Sequence, residues 1–205
     1  RRSVSTSSAV SLTVAIDRSA ALIRALAATA RTFGANGLEA HAGDAQAWRL
    51  WERWISEIIA DVWSVSRVGI AATLGLIGVV SLPKAFVFRI NGEDPHPAPW
   101  MRVRLSCAMG AALYPHPQWQ RLAELWAALY PLRDAAPQLQ QTFAQLERTI
   151  PEFVSLLLAH RAPSLRGRSL RDVFSSAERQ PTRLAQLHSE WRGKLTITGT
   201  SAAPA

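Results

Sequence analysis

Prolines at positions 83, 95, 97, 99, 115, 117, 131, 137 and 151 divide the middle of this chain into lengths of helical spacing. A proline inside a helix removes one backbone hydrogen bond and pushes its ring into the preceding turn, at a cost of ~3 kcal/mol. The pattern therefore predicts helices cut to length. From Ala45 the helical spacing runs to Pro83, longer than an ordinary globular helix, so a break is expected near Gly69 or Gly75. Asp44 is placed to cap its start. Further helices are expected over 101–114, 118–130, 136–147 and 151–160, with shorter ones in "APSLRGRSLRDVFSS" and "PTRLAQLHSEWRG". Residues 10 to 33 carry Leu12, Ile16, Ala20, Ile23, Leu26, Ala27 and Ala30 at helical spacing, with Asp17 and Arg24 on the polar side. "KAFVFRI" and "KLTITGT" alternate well enough for short strands, and "NGEDPHPAPW" reads as a rigid loop.

The expected fold is an all-α, multi-helix globular domain of about eight helices with marginal β content. Three regions are expected: 1–43, an N-terminal helix and loop; 44–131, a helical core; and 132–205, a C-terminal helical extension ending in a disordered tail. No fixed-period repeat points to a solenoid.

With 205 residues the chain can bury a core without staples, and its single cysteine, Cys107, excludes an internal disulfide. A reduced, cytoplasmic setting is expected. The longest uncharged run, Val68 to Pro83, is about 16 residues, short of the roughly 20 that span a bilayer. The formal net charge is +8, almost all from Arg, with Lys only at 84 and 194. Because that charge is spread along the chain, it argues against nucleic acid as a partner. An acidic membrane surface would have to be met by the denser stretch "HRAPSLRGRSLRD". The chain opens on Arg1, so it is expected to be a trimmed piece of something longer, with the upstream segment of the same precursor among its partners.

The stretch "WERWISEIIADVWSV" places Glu57, Asp61 and Ser64 within about 60° of one another on a helix. One reading is a solvated stripe on which Arg53 pairs with Glu57 while Ile55, Ile58, Ile59 and Val62 face the core. The other is part of a metal site. Trp48, Trp51 and Trp54 lie close on one side of the same helix and are expected in the core, as is Cys107.

"EIIAD", Glu57 to Asp61, resembles the E-x-x-A-D element of HtpX-type and prenyl-protease-type zinc metallopeptidases. "HPAPWMR" resembles the H-P-x-x-x-x-R element that follows some tens of residues later in those enzymes, placing His96 and Arg102. The resemblance covers about residues 48 to 113. It implies peptide hydrolysis, with Glu57 as a zinc ligand, Asp61 bracing a metal-bound histidine, and His96 and Arg102 lining or supporting the site. The chain departs from the pattern in lacking the H-E-x-x-H helix, because none of His41, His96, His116, His160 and His188 is followed by Glu. Zinc therefore requires residues outside this chain, and these 205 residues alone are expected to be inactive. Either the missing helix lies upstream of Arg1, or the chain is a degenerate relative that kept the scaffold. The competing expectation is a non-catalytic helical module that binds a protein or peptide partner. No phosphate-binding glycine loop or G-x-S-x-G element is present.

Overall fold

The computed structural model describes residues 44–199. Its helices are α1 (Ala45–Val68), α2 (Ile70–Val80), α3 (Lys84–Val87), α4 (Pro99–Leu113), α5 (Pro117–Leu129), α6 (Pro137–Ala159), α7 (Leu170–Phe174) and α8 (Pro181–Gly199), with single 3₁₀ turns at Leu132–Asp134, Pro163–Leu165 and Ala177–Arg179. The fold is all-α. Among the described residues the β content is one isolated bridge between Arg161 and Ser169. The expected 10–33 helix and the disordered tail lie outside the described residues.

α4 is the central helix, packed by α1, α2, α5 and α6. Its small residues let neighbours come close. At Gly110 the ring of Trp119 sits so near that a Cβ would overlap its ring carbons, and that ring is fixed by its Nε1 donating to the Tyr114 carbonyl at 2.8 Å. The Tyr114 hydroxyl shares its one proton between the carbonyls of Ser66, at 2.8 Å, and Phe174, at 3.2 Å, tying the end of α4 to α1 and α7.

Trp48, Trp51 and Trp54 are all buried, so the tryptophan side of α1 is core, as expected. Trp51 stacks on Phe153 of α6 at 4.7 Å between centroids, and its Nε1 donates to Thr149 Oγ1 at 2.9 Å. The stretch after 132 thus shares the core of α1 and α4, through Phe143, Leu146, Phe153 and Leu157. A second aromatic layer joins α4 to α5: Trp100 Nε1 donates to the Tyr130 carbonyl, and Trp126 Nε1 donates to the Trp100 carbonyl.

The long helical stretch breaks at Gly69, whose φ of 65° and ψ of −142° suit glycine. α2 then turns back along α1, so that Val79 and Asp61 line one cleft, and Thr73 and Ser106 share a buried hydrogen bond. Asp44 stands at the N-cap of α1, yet its side chain makes no capping bond; its carboxylate takes Arg148 of α6 instead, at 2.7 Å.

Three local expectations are corrected. "KAFVFRI" begins with the short helix α3, because the Pro83 carbonyl accepts from Phe86 and Val87 and closes a turn. "KLTITGT" continues α8 as far as Gly199; among the described residues no sheet exists to give a strand there an edge to pair with. Pro151 does not divide its region. α6 runs through it, since Ile150, Phe153, Val154, Leu157 and Leu158 are buried on one continuous face, and that burial outweighs the lost hydrogen bond.

Candidate functional site

The apolar stripe of α1 determines where its carboxylates go. Ile55, Ile58, Ile59 and Val62 are buried as expected, which leaves Glu57 and Asp61 at the edge of the core, both half-buried. Asp61 meets α4. Arg102, in the first turn of that helix, donates Nε to Asp61 Oδ2 and Nη2 to Oδ1, both at 2.7 Å. This fork-on-fork pairing fixes both side chains in one plane. The Asp61 carboxylate raises the Arg102 pKa above its ordinary value, and the nearby charges of Glu57 and Asp94 push the same way against desolvation.

Glu57 meets the proline-rich loop. Its Oε2 lies 3.0 Å from His96 Nε2, so Glu57 pairs with His96, while Arg53 extends toward Gly92. The other ring nitrogen, Nδ1, lies 2.8 Å from Asp94 Oδ1, and the same oxygen accepts the His96 backbone N–H at 2.9 Å. An imidazolium in this position would donate to both carboxylates, whereas a neutral ring can donate to only one. The backbone N–H of His96, and then its ring, hold the Asp94 carboxyl below the usual carboxylate range. Pro95 and Pro97 flank His96 and restrict the loop that presents it.

All four residues named by the two sequence elements therefore meet: Glu57 with His96, and Asp61 with Arg102, one helical turn apart along α1. Asp94 is the member that sequence reasoning missed. The signal was an Asp two residues before His96 in a proline-fixed turn, where an Asx carboxylate can take the backbone N–H two positions on. Beside Asp61 and Arg102 opens a cleft of about 280 Å³, polar at Ser64 and Ser106 and walled by Ala72, Gly75 and Val79 of α2.

The donor set is too small for zinc. Glu57 and His96 offer two donors between them, and among the described residues no three His, Cys, Asp or Glu side chains are grouped to hold a metal ion. The residues present do not fit the ion by themselves.

The other candidates take structural places. Cys107 is buried, and burial pushes its thiol up to about 12. His116 is the N-cap of α5, its Nδ1 accepting from the Gln118 amide at 3.2 Å. Three of the four arginines of 161–171 donate to backbone carbonyls: Arg161 to that of Gly167, Arg168 to that of Asp172 and Arg171 to that of Ala112. Among the described residues no helix is long and apolar enough to cross a membrane. Comparison of the chain with protein-family models, with curated proteins and with solved structures finds no match.

Proposed function

We propose that residues 57–102 form the carboxylate-bearing part of a zinc-metallopeptidase-like site, and that peptide hydrolysis belongs to this protein only where an H-E-x-x-H helix from outside these 205 residues completes it. The observation supporting the reading is the convergence of two separate sequence elements: Glu57 and Asp61 on α1 stand against His96 and Arg102 from the loop and first turn of α4. Under this reading Glu57 is the metal ligand supplied by the chain. Arg102 occupies one edge of Asp61, and the lone pairs it leaves can orient an incoming imidazole. His96 and Arg102 are positioning or site-lining residues. The 205-residue chain alone is assigned no hydrolysis.

A second reading has an observation of its own. Glu57 and Asp61 are both partnered within the fold, as ordinary structural charges would be, so under this reading the cluster fastens the loop to α1 in a non-catalytic module that binds a protein or peptide. A hydrolysis assay separates the two. The gene product that carries these residues, given a quenched peptide library, should cleave in a chelator-sensitive manner and lose that activity in Glu57→Ala. The interaction-module reading gains if cleavage is absent, or if it survives Glu57→Ala unchanged.

A further inference from the structure

The start of α8 is fastened to the core at two points. Just before it, Arg179 donates Nε to the Arg67 carbonyl at the end of α1, at 2.8 Å, and Gln180 donates Nε2 to the Leu113 carbonyl at the end of α4, at 3.4 Å. Beyond that anchor α8 does not close on the core. Pro181, Leu184, Ala185 and His188 recur at i, i+3, i+4 and i+7 and so share one face. That face lines one wall of a cavity of about 360 Å³, whose other walls include Ile70, Tyr114 and Trp119. Leu184, an apolar side chain on the inner face of its helix, is 50% exposed. The lining is cationic. Arg179 is half-buried; the Arg67 carbonyl takes its Nε, while the four N–H bonds of Nη1 and Nη2 have no acceptor among the described residues. His116 lines the same cavity, and because its Nδ1 accepts from the Gln118 amide, its ring proton is left on Nε2. His188 brings a second imidazole from α8, and no Asp or Glu is in the lining. Glu178 and Glu190, the acidic side chains of this region, lie against Arg183 instead.

We propose that this cavity binds a small organic carboxylate with an apolar body. A guanidinium whose two terminal nitrogens are idle presents the edge that a carboxylate takes with both oxygens. His116 Nε2–H and the His188 ring supply further donors for the same oxygens. One fixed cation beside two imidazoles matches a single negative charge rather than a phosphate dianion. The volume lies within the range of ~300–1,000 Å³ typical of small-molecule sites, and Ile70, Leu184 and Trp119 give the apolar body a surface to lie on. α5 and α8 both turn their first residues to the cavity, so their positive ends add to a potential that the side chains already set. The cavity shares no residue with the cleft beside Asp61 and does not depend on the peptidase-like reading.

The test is titration of the full 205-residue chain with phenylacetate, followed by calorimetry and by the NMR signals of the histidine rings. Wild type is compared with Arg179→Gln, His188→Ala and Arg49→Gln, the last an exposed arginine of α1 outside the cavity that controls for the loss of one charge. Circular dichroism melting checks the fold of each, and the exposed His188 gives a second variant should Arg179→Gln loosen the anchor of α8. The site predicts saturable binding to wild type with a Kd of about 0.1–1 mM, and the His116 and His188 signals should move along the same curve. The Kd should rise about tenfold or more in Arg179→Gln and about threefold in His188→Ala, and stay unchanged in Arg49→Gln. Benzylamine, which carries the opposite charge on a similar body, should not bind. No saturable binding of phenylacetate up to ~10 mM overturns the proposal. So does an equal loss in Arg49→Gln, or benzylamine binding as tightly as phenylacetate. Phenyl phosphate binding about tenfold tighter than phenylacetate would overturn the carboxylate assignment.

Discussion

Replacing Asp61 by Leu leaves the Arg102 guanidinium without its fork partner, and the cost follows from where the pair sits. The two side chains are 14% and 23% exposed, so the pair lies between a surface ion pair, worth about 0.2–1 kcal/mol, and a buried one, whose disruption costs about 3–5 kcal/mol. Two charge-assisted bonds at 2.7 Å place the loss at ~2–3 kcal/mol. Arg102→Met strands Asp61 and should cost a similar amount. The double variant removes both charges from a half-buried position and leaves apolar groups of similar size, so it should lie within ~1 kcal/mol of wild type. Thermal and urea unfolding of the four proteins closes a double-mutant cycle with a coupling of ~3–6 kcal/mol, the sum of the two single losses less the small cost of the double variant. For a protein of this length each single variant should melt about 5–10 °C lower. If the two losses add in the double variant, the pair has no special coupling and its geometry does not hold α4 on α1.

Other outcomes follow from the packing and charges. Gly110→Ala should lower the melting temperature by several degrees, about 1–3 kcal/mol, because the new methyl meets a Trp119 ring pinned by its own hydrogen bond; a neutral result would mean the ring swings aside at no cost. Cys107, with its thiol pushed up to about 12, should resist iodoacetamide at pH 8 in the native protein and react fully in guanidinium. Asp172 accepts from the backbone N–H of Ser169, while its own N–H bonds the Ser169 hydroxyl; Ser169 holds its carboxyl below the usual range. A lowered folded pKa favours the folded state above the unfolded value, ~3.9, and that contribution fades as pH falls through the folded value. Asp172→Asn should therefore melt below wild type at pH 6 and match it near pH 2, measured by calorimetry.

Much of the fold is legible because proline and glycine act locally. Pro99, Pro117 and Pro137 stand at or beside the helix starts they predict, and Gly69 is the break its backbone angles require. Pro151 misleads for the opposite reason. Its fate depends on five buried neighbours whose partners lie on α1 and α4, and a local rule has no access to that burial. The strand pattern of "KAFVFRI" fails likewise, since alternation over a few residues carries no information about whether a partner strand exists. At the site, the residue types and their order point to Glu57, Asp61, His96 and Arg102, and these four do converge. Which carboxylate takes which cation is beyond the sequence. Arg53, one turn from Glu57, is the nearer cation along the chain, but the proline-fixed loop brings His96 to Glu57 and the first turn of α4 brings Arg102 to Asp61. Trp51 with Thr149, the two far apart in sequence, shows the same limit in the core.

Under the proposed reading, Glu57 ligates zinc only in a site completed by an H-E-x-x-H helix from outside these 205 residues, with Arg102 supporting its neighbour Asp61. Zinc per chain, measured by inductively coupled plasma mass spectrometry on the natural gene product containing residues 1–205, tests it most directly in wild type, Glu57→Ala and Arg102→Met. Where that product carries an H-E-x-x-H helix, the account predicts one zinc in wild type, none in Glu57→Ala, and a weakened but detectable occupancy in Arg102→Met that rises with added zinc. A wild-type protein without zinc, or one whose zinc survives Glu57→Ala at full occupancy, contradicts it.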